Sequence, residues 1–419
     1  MTALVSGRVD AASIRTLRTE IPFAFEENRG QSPPDYRFVL VHQNAGFSCT
    51  GLYGRTSGPP RRIPDSISFA GANSSCSTEI FDPLPTSSNF YRGVNQSVSF
   101  QNVRHYRTLR FRNVWPGVDI RYDANSSGYT MTVQTASTAA LGQVRFKSPG
   151  LGVSAANGDV YSTIGAFALA GPVKAVRGTN EVSFIPNNAT GAVSFTLTTT
   201  SLTRTLVPAF NFVVDPEGAL YLAASTTTYS DFDLASEVCR IGACPDVYVA
   251  KFDGRGALQY LVYLQGHSSD SATQIESDRG GNVYIAGSTG SPDFVTTAGA
   301  YQQEMKQGGT AFLAKLHGPT GGLIYTTLFG QMDNVYTLQV DVFGRTYLGL
   351  LATPSQDLPR KGPQAESSPW CSEPLIAPYP GTCHWLASLD ENGSELRYSQ
   401  QSSSSQFTLS PYGTLYFLR

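Results

Sequence analysis

The chain has little charge for its length. Lysine and arginine total 30 against 32 acidic residues in 419, only 15% of residues are charged, and the formal net charge is −2. A balance this even leaves no electrostatic footprint for nucleic acid or an acidic lipid surface. No apolar run is long enough to span a bilayer. Met1 to Asp10 lacks the basic start and apolar core of a secretory leader. Long amphipathic helical patterns are missing. So are the zinc-protease His-Glu-x-x-His, a Gly-rich phosphate loop opening a helix, and Gly-x-Ser-x-Gly. The five histidines are scattered, and His105 and His384 sit beside aromatics, as packed or surface residues do.

What is plentiful is turn formers and aromatics: 40 Gly, 25 Pro, 21 Tyr and 23 Phe. That is the composition of an all-β protein with many turns, and the length suits two or three domains. A repeat then sets the architecture. Asp215, Gly218 and Tyr221 recur as Asp278, Gly281 and Tyr284, and again as Asp341, Gly344 and Tyr347, each 63 residues on. Ser410, Gly413 and Tyr416 make a fourth copy 69 residues later. Each copy reads as a hairpin: the Asp bonds its own turn and the Gly supplies a positive φ. A second hairpin follows in each unit, at Tyr248–Phe252 with Leu258–Tyr260, Phe312–Leu316 with Leu323–Tyr325, and Trp385–Leu389 with Leu396–Tyr398. Four short antiparallel strands make the blade of a β-propeller. A β-sandwich is the rival, but it gives no reason for a fixed turn register at this period.

These units resemble the SBBP-type β-propeller repeats of bacterial surface and secreted proteins. The fullest match runs from Gly281–Thr289 through Pro292-Asp293-Phe294 and Gly299–Gln302 to Gly308–Leu316 and Tyr325–Gly330. The first half is similar to the β-rich domain that precedes such repeats, at Phe25–Gln31, Asn89–Gly93 and Tyr106–Tyr122. The resulting division is a lead-in over 1–20, an N-terminal β-rich domain over 21–207 and propeller repeats over 208–419. The units fall near 210–266, 274–330 and 337–400, with a partial one at 406–419. About three and a half blades fall short of the four to eight of a ring. The ring is therefore incomplete, closed by strands from elsewhere, or cut short.

Six cysteines pair naturally by position: Cys49 with Cys76, Cys239 with Cys244, Cys371 with Cys383. The last two pairs fall in the same long loop of the first and third units. The spacing lacks the close pairing of a zinc site, so disulfides and an oxidising, extracellular or cell-surface location are expected.

Candidate sites lie in the loops. Asp231, Asp293 and Asp357 recur after the first hairpin of each unit. They are read as loop caps, with calcium held by loop oxygens as the rival; no other cofactor is implied. The loops 228–246, 288–310 and 353–384 are expected on one face, carrying Tyr229, Phe232, Phe294, Tyr301, Trp370 and Tyr379 to stack on a sugar or anchor a peptide. A glycosidase would need two carboxylates flanking one bond, and Glu26, Asp119 and Asp123 are available without forming an obvious pair. The expected function is a non-catalytic secreted or surface scaffold recognising a protein or glycan. A glycan hydrolase or lyase, and a truncated repeat without activity of its own, are the alternatives.

Overall fold

A computed structural model describes residues 21–43, 45–54, 65–188, 190–200, 211–226, 245–305, 309–330, 334–352, 361–362, 383–402 and 404–417. The fold is all-β, as the composition implies. Among the described residues, apart from one short turn, the only helix is Thr138–Leu141, capped by the Ser137 hydroxyl, which accepts the Ala140 N–H at 3.1 Å.

The N-terminal module is organised by one long hairpin, Ser77–Arg92 against Val98–Trp115. From its second strand two runs of sheet depart. One proceeds through Val118–Asn125, Gly128–Thr135 and Val193–Thr199 to Gly165–Ala170. The other starts at Phe25–Glu27 and proceeds through Phe38–Leu40, Ala45–Ser48, Gly51–Gly54 and Asp65–Phe69 to Arg145–Lys147. Strands alternate inward and outward residues. The inward set from both runs, including Phe25, Phe47, Phe69, Phe111, Trp115, Tyr122 and Phe146, forms one buried core. A disulfide joins Cys49 to Cys76 across a sequence separation of 27. It fastens the turn after Ala45–Ser48 to the start of the long hairpin.

Three four-stranded antiparallel units follow. The first is Asn211–Val214, Leu220–Thr226, Asp246–Phe252 and Leu258–Gln265. The second is Asp270–Ser277, Val283–Thr289, Thr310–His317 and Gly322–Phe329. The third is Asn334–Val340, Thr346–Ala352, Cys383–Leu389 and Leu396–Gln401. A two-stranded hairpin, Phe407–Leu409 with Leu415–Phe417, packs beyond them. The register glycines Gly218, Gly281, Gly344 and Gly413 have φ of 85°, 75°, 80° and 92°, a conformation that L side chains avoid. Successive units bury apolar faces against each other: Val249, Val262, Ile285 and Phe312 between the first two, Leu313, Leu338, Leu350 and Trp385 between the second and third.

The module and the first unit share a sheet. Residues 87–92 of the long hairpin pair in parallel with Tyr260–Gln265. The remaining face of the first unit, with Leu222, Tyr248, Leu261 and Tyr263, is buried by Ile21, Val39, Val41, Phe90 and Val103 of the module. The module thus stands where another unit would otherwise stack.

The outer strands of the other two units are covered as well. Thr297 donates to the Thr326 carbonyl at 3.1 Å and Leu328 donates to the Gln302 carbonyl at 2.9 Å. In the third unit Lys361 and Ser399 exchange backbone bonds of 2.9 and 2.8 Å. The middle loop, expected on an open face, therefore lies along the outer strand of its own unit. The reason is physical: an exposed strand edge is a template for aggregation, and a loop laid along it satisfies the edge.

Candidate functional site

The most regular polar groups of the chain are structural. Asp215 Oδ1 accepts the N–H groups of Glu217 and Ala219 at 3.0 and 2.8 Å, and its Oδ2 lies 3.1 Å from the Tyr221 hydroxyl. Asp278 repeats this with Gly280 and Asn282, both 2.9 Å, and with Tyr284 at 3.0 Å. Asp341 repeats it with Phe343, Arg345 and Tyr347 at 2.9, 3.1 and 3.3 Å. Burial, then the neighbouring carboxylate, raises the tyrosine pKa values. The first cluster also clasps the next unit. The Gly318 carbonyl in the second unit accepts from Lys251 Nζ at 3.0 Å and from the Tyr260 hydroxyl at 2.7 Å. Lys315 lies over the Tyr284 ring at 4.9 Å, whereas Ser388 stands at the matching place of the third unit and Arg345 pairs with Asp341 at 2.5 Å.

Of the loop residues singled out in the sequence, Tyr229, Phe232, Trp370, Tyr379, Asp231, Asp357, Cys239, Cys244 and Cys371 lie outside the described residues, as does the side chain of Cys383. Phe294 is 1% exposed and packs on Phe312 with ring centres 4.8 Å apart, so it is loop core and presents no ring face to a ligand. Tyr301 is half-buried beside Phe329 and its N–H donates to the Gly393 carbonyl at 2.9 Å. Asp293 accepts the backbone N–H of His267 at 2.8 Å. Its second oxygen meets His267 Nδ1, while His267 Nε2 meets the Arg92 guanidinium. This Arg92–His267–Asp293 chain ties the long hairpin to the second unit. Sequence reading passed over it, because nothing in local spacing links positions so far apart. Beside it Asp270 is fully buried, with Ser291 Oγ donating to Oδ2 at 3.0 Å and no partner for Oδ1 among the described residues. Burial pushes its carboxyl up to about 8, against the opposing pull of the Thr289 and Ser291 hydroxyls.

The three other carboxylates named above do not converge. Asp119 is held by Arg110 at 2.8 Å and Asp123 by Arg121 at 2.7 Å. Glu26 is buried, with Oε2 3.5 Å from His105 Nε2, and that imidazole also meets Thr86 and Ser88 at 2.8 Å each. His105 is thus a core histidine, as its aromatic neighbours suggest.

A concave site among the described residues lies elsewhere, on the motif Phe25–Gln31. A cavity of about 500 Å³, open on one side, is bounded by Glu27, Pro34, Tyr36, Phe38 and Ile80. Asn28 builds its rim: Nδ2 donates to the carbonyls of Ser32, Pro33 and Tyr36 at 3.1, 2.8 and 2.9 Å. Oδ1 accepts the N–H groups of Gly30 and Ser32, both at 3.1 Å. Arg37 closes the floor, donating to the Cys76 and Ser74 carbonyls at 2.9 and 3.1 Å and to Thr78 Oγ1 at 3.2 Å. The rim is therefore stiff, and Arg37 couples it to the disulfide-bonded end of the long hairpin. The Glu27 carboxylate remains 54% exposed at its mouth. The motif was visible in the sequence, but its cavity was not, since the wall at Ile80 comes from a strand some fifty residues away.

A family model described as a Domain of unknown function (DUF7948) matches residues 65–207. The matched stretch contains the long hairpin and most of the N-terminal module. No curated protein matches the chain.

Proposed function

We propose that the chain is a non-catalytic recognition scaffold of the extracellular space or cell surface. In this reading the N-terminal domain over 21–207 seeds a stack of SBBP-type propeller blades over 208–419. The observation that carries it is the use of the repeated ionisable groups. In each unit the register Asp is taken up by its own turn and the register Tyr, and Lys251 and Tyr260 reach into the next unit. Groups held this way stiffen a framework and leave recognition to sites grafted on it. The cavity beside Glu27 is such a site: rigid, concave and partly apolar, within the size range of ligand pockets. The Cys49–Cys76 disulfide supports an oxidising compartment.

The test is to present the folded, non-reduced chain to a glycan array and a peptide array, and to assay it for reducing-end release on a panel of polysaccharides. Binding without turnover is the expected result. Turnover would transfer the protein to the hydrolase or lyase reading.

A further inference from the structure

We propose that the strand edge at Thr78–Ile80 docks an extended peptide, added as a further strand and seated in the cavity beside Glu27. The proposal rests on the recognition reading above and names its partner class.

The start of the long hairpin, residues 77–81, pairs with Thr108–Arg112 on one side. Its other side meets no strand among the described residues. The outer strands of the three units are treated differently. The first is covered by residues 87–92, the second by 297–302 and the third by Lys361. In every case the cover is backbone of this same chain. An edge left open where others are covered is a template for strand addition.

The direction of the backbone groups favours this. Arg37 takes the Cys76 carbonyl from the open side. Backbone groups alternate sides along a strand, so Thr78 and Ile80 aim their N–H and C=O the same way, and Glu79 and Phe81 face the ladder to Arg110 and Thr108. The cavity of about 500 Å³ lies in front of that edge. Its apolar wall includes Ile80, which is 41% exposed, as is Phe81 beside it. Arg37 spends its donors on three neutral acceptors and keeps its charge at the floor, so the charge that meets an occupant at the mouth is the exposed Glu27 carboxylate. Arg29 approaches Glu27 at 3.6 Å, but both are solvent-exposed, and such pairs are weak and easily exchanged. The fitting partner is an extended peptide with an apolar residue against Ile80 and a lysine or arginine at Glu27. A ladder of alternating donors and acceptors at strand spacing suits a peptide backbone better than a sugar ring.

The experiment pans the folded chain against a phage-displayed library of random linear twelve-residue peptides, and tests the enriched peptides on Ile80→Pro, Ile80→Ala and Glu27→Gln. Proline removes the outward N–H and leaves the ladder N–H groups in place. Enriched peptides should carry a basic residue, lose about tenfold or more of their affinity on Ile80→Pro, and lose less on Ile80→Ala. Hydrogen exchange of the wild-type amides of Thr78 and Ile80 should slow when peptide is added, a readout that stands even if the proline variant does not fold. Peptides that bind all variants equally and leave those amides unprotected overturn the site. Glycan binding with no enriched peptide overturns the partner class and leaves the recognition reading intact. Failure of both libraries removes both.

Discussion

The ring of Phe90 stacks on that of Tyr263 with centres 4.8 Å apart and planes 6° from parallel. The two residues are partners in the parallel pairing that joins the N-terminal module to the first repeat unit. They sit in a continuous apolar seam that includes Leu222, Ala250 and Leu261. His42 closes the seam from the module side, with Nδ1 3.0 Å from the Tyr263 hydroxyl and its ring 4.5 Å from that of Tyr248. The fit between the two parts therefore encloses an imidazole.

That group makes the fold sensitive to acid. Burial holds the His42 imidazole down at about 3, against 6.5 when unfolded. A histidine kept neutral in the native state and protonated in the unfolded one withdraws stability as pH falls below the unfolded value. The loss should run at about 1.4 kcal/mol per pH unit between pH 6.5 and 3. His42 also has φ of 54°, so asparagine, which tolerates that backbone, is the fitting neutral replacement. Urea midpoints measured from pH 7 to 4 should fall steeply for the wild type and less steeply for His42→Asn. The variant should start roughly 1–3 kcal/mol less stable at pH 7, for lost packing. Equal slopes would mean that the imidazole accepts a proton in place.

The repeat turn predicts a different kind of loss. Asp278→Ala removes acceptors from the N–H groups of Gly280 and Asn282 and from the Tyr284 hydroxyl. Tyr284 is fully buried, so its hydroxyl has no water to turn to. Leaving such donors unmatched should cost about 2–4 kcal/mol, well beyond a surface substitution. Asp278→Asn keeps the Oδ1 acceptor for the turn and should recover part of it. A thermal melt of the three proteins at one pH ranks them; a loss below about 0.5 kcal/mol for alanine would show the turn to be self-sufficient.

Much of this architecture was legible in the sequence, and the reason is local. A turn Asp, its glycine and the tyrosine six residues on are neighbours in the chain as well as in space, so their register survives in one dimension. The strand bounds of the units follow from the same pattern. The parallel pairing of 87–92 with Tyr260–Gln265 was hidden because it depends on a partner more than 160 residues away. Asp293 was found as a repeated loop residue, but its link to His267 and Arg92 was not. Phe294 shows the limit of composition: an aromatic in a long loop suggests a binding surface, while its burial against Phe312 depends on where that loop folds.

The disulfide should matter through the unfolded chain. Cys49 and Cys76 close a loop with a separation of 27 residues, and constraining a loop of that size stabilises by about 3–4 kcal/mol in the chain-entropy account. The joint substitution Cys49→Ser with Cys76→Ser should lower the urea midpoint accordingly. It should also loosen the Cys76 carbonyl that Arg37 holds at 2.9 Å, and with it the cavity floor. Loss of stability with Thr78 exchange unchanged would show that Arg37 keeps the floor without the covalent link.

Asp270 sets the opposite pH limit. Its carboxyl is raised to about 8 by burial, from 3.8. A group raised in the native state contributes its stability fully below the unfolded value, and that contribution drains away as pH climbs through the folded one. Stability should therefore decline from about pH 4 to pH 8, by roughly 1.4 kcal/mol per unit from this group, and level off above. Asp270→Asn retains an oxygen for the Ser291 hydroxyl, which donates to Oδ2 at 3.0 Å, and cannot ionise. It should flatten the slope and leave the variant more stable than the wild type at pH 9. The amide then takes the Oδ1 position, which has no partner among the described residues. The gain at pH 9 should then be partial, because a buried amide without an acceptor costs stability. A variant that is less stable than the wild type at every pH, with the slope intact, would mean that Asp270 is ionised in the native protein and that Ser291 and Thr289 are enough to hold its charge.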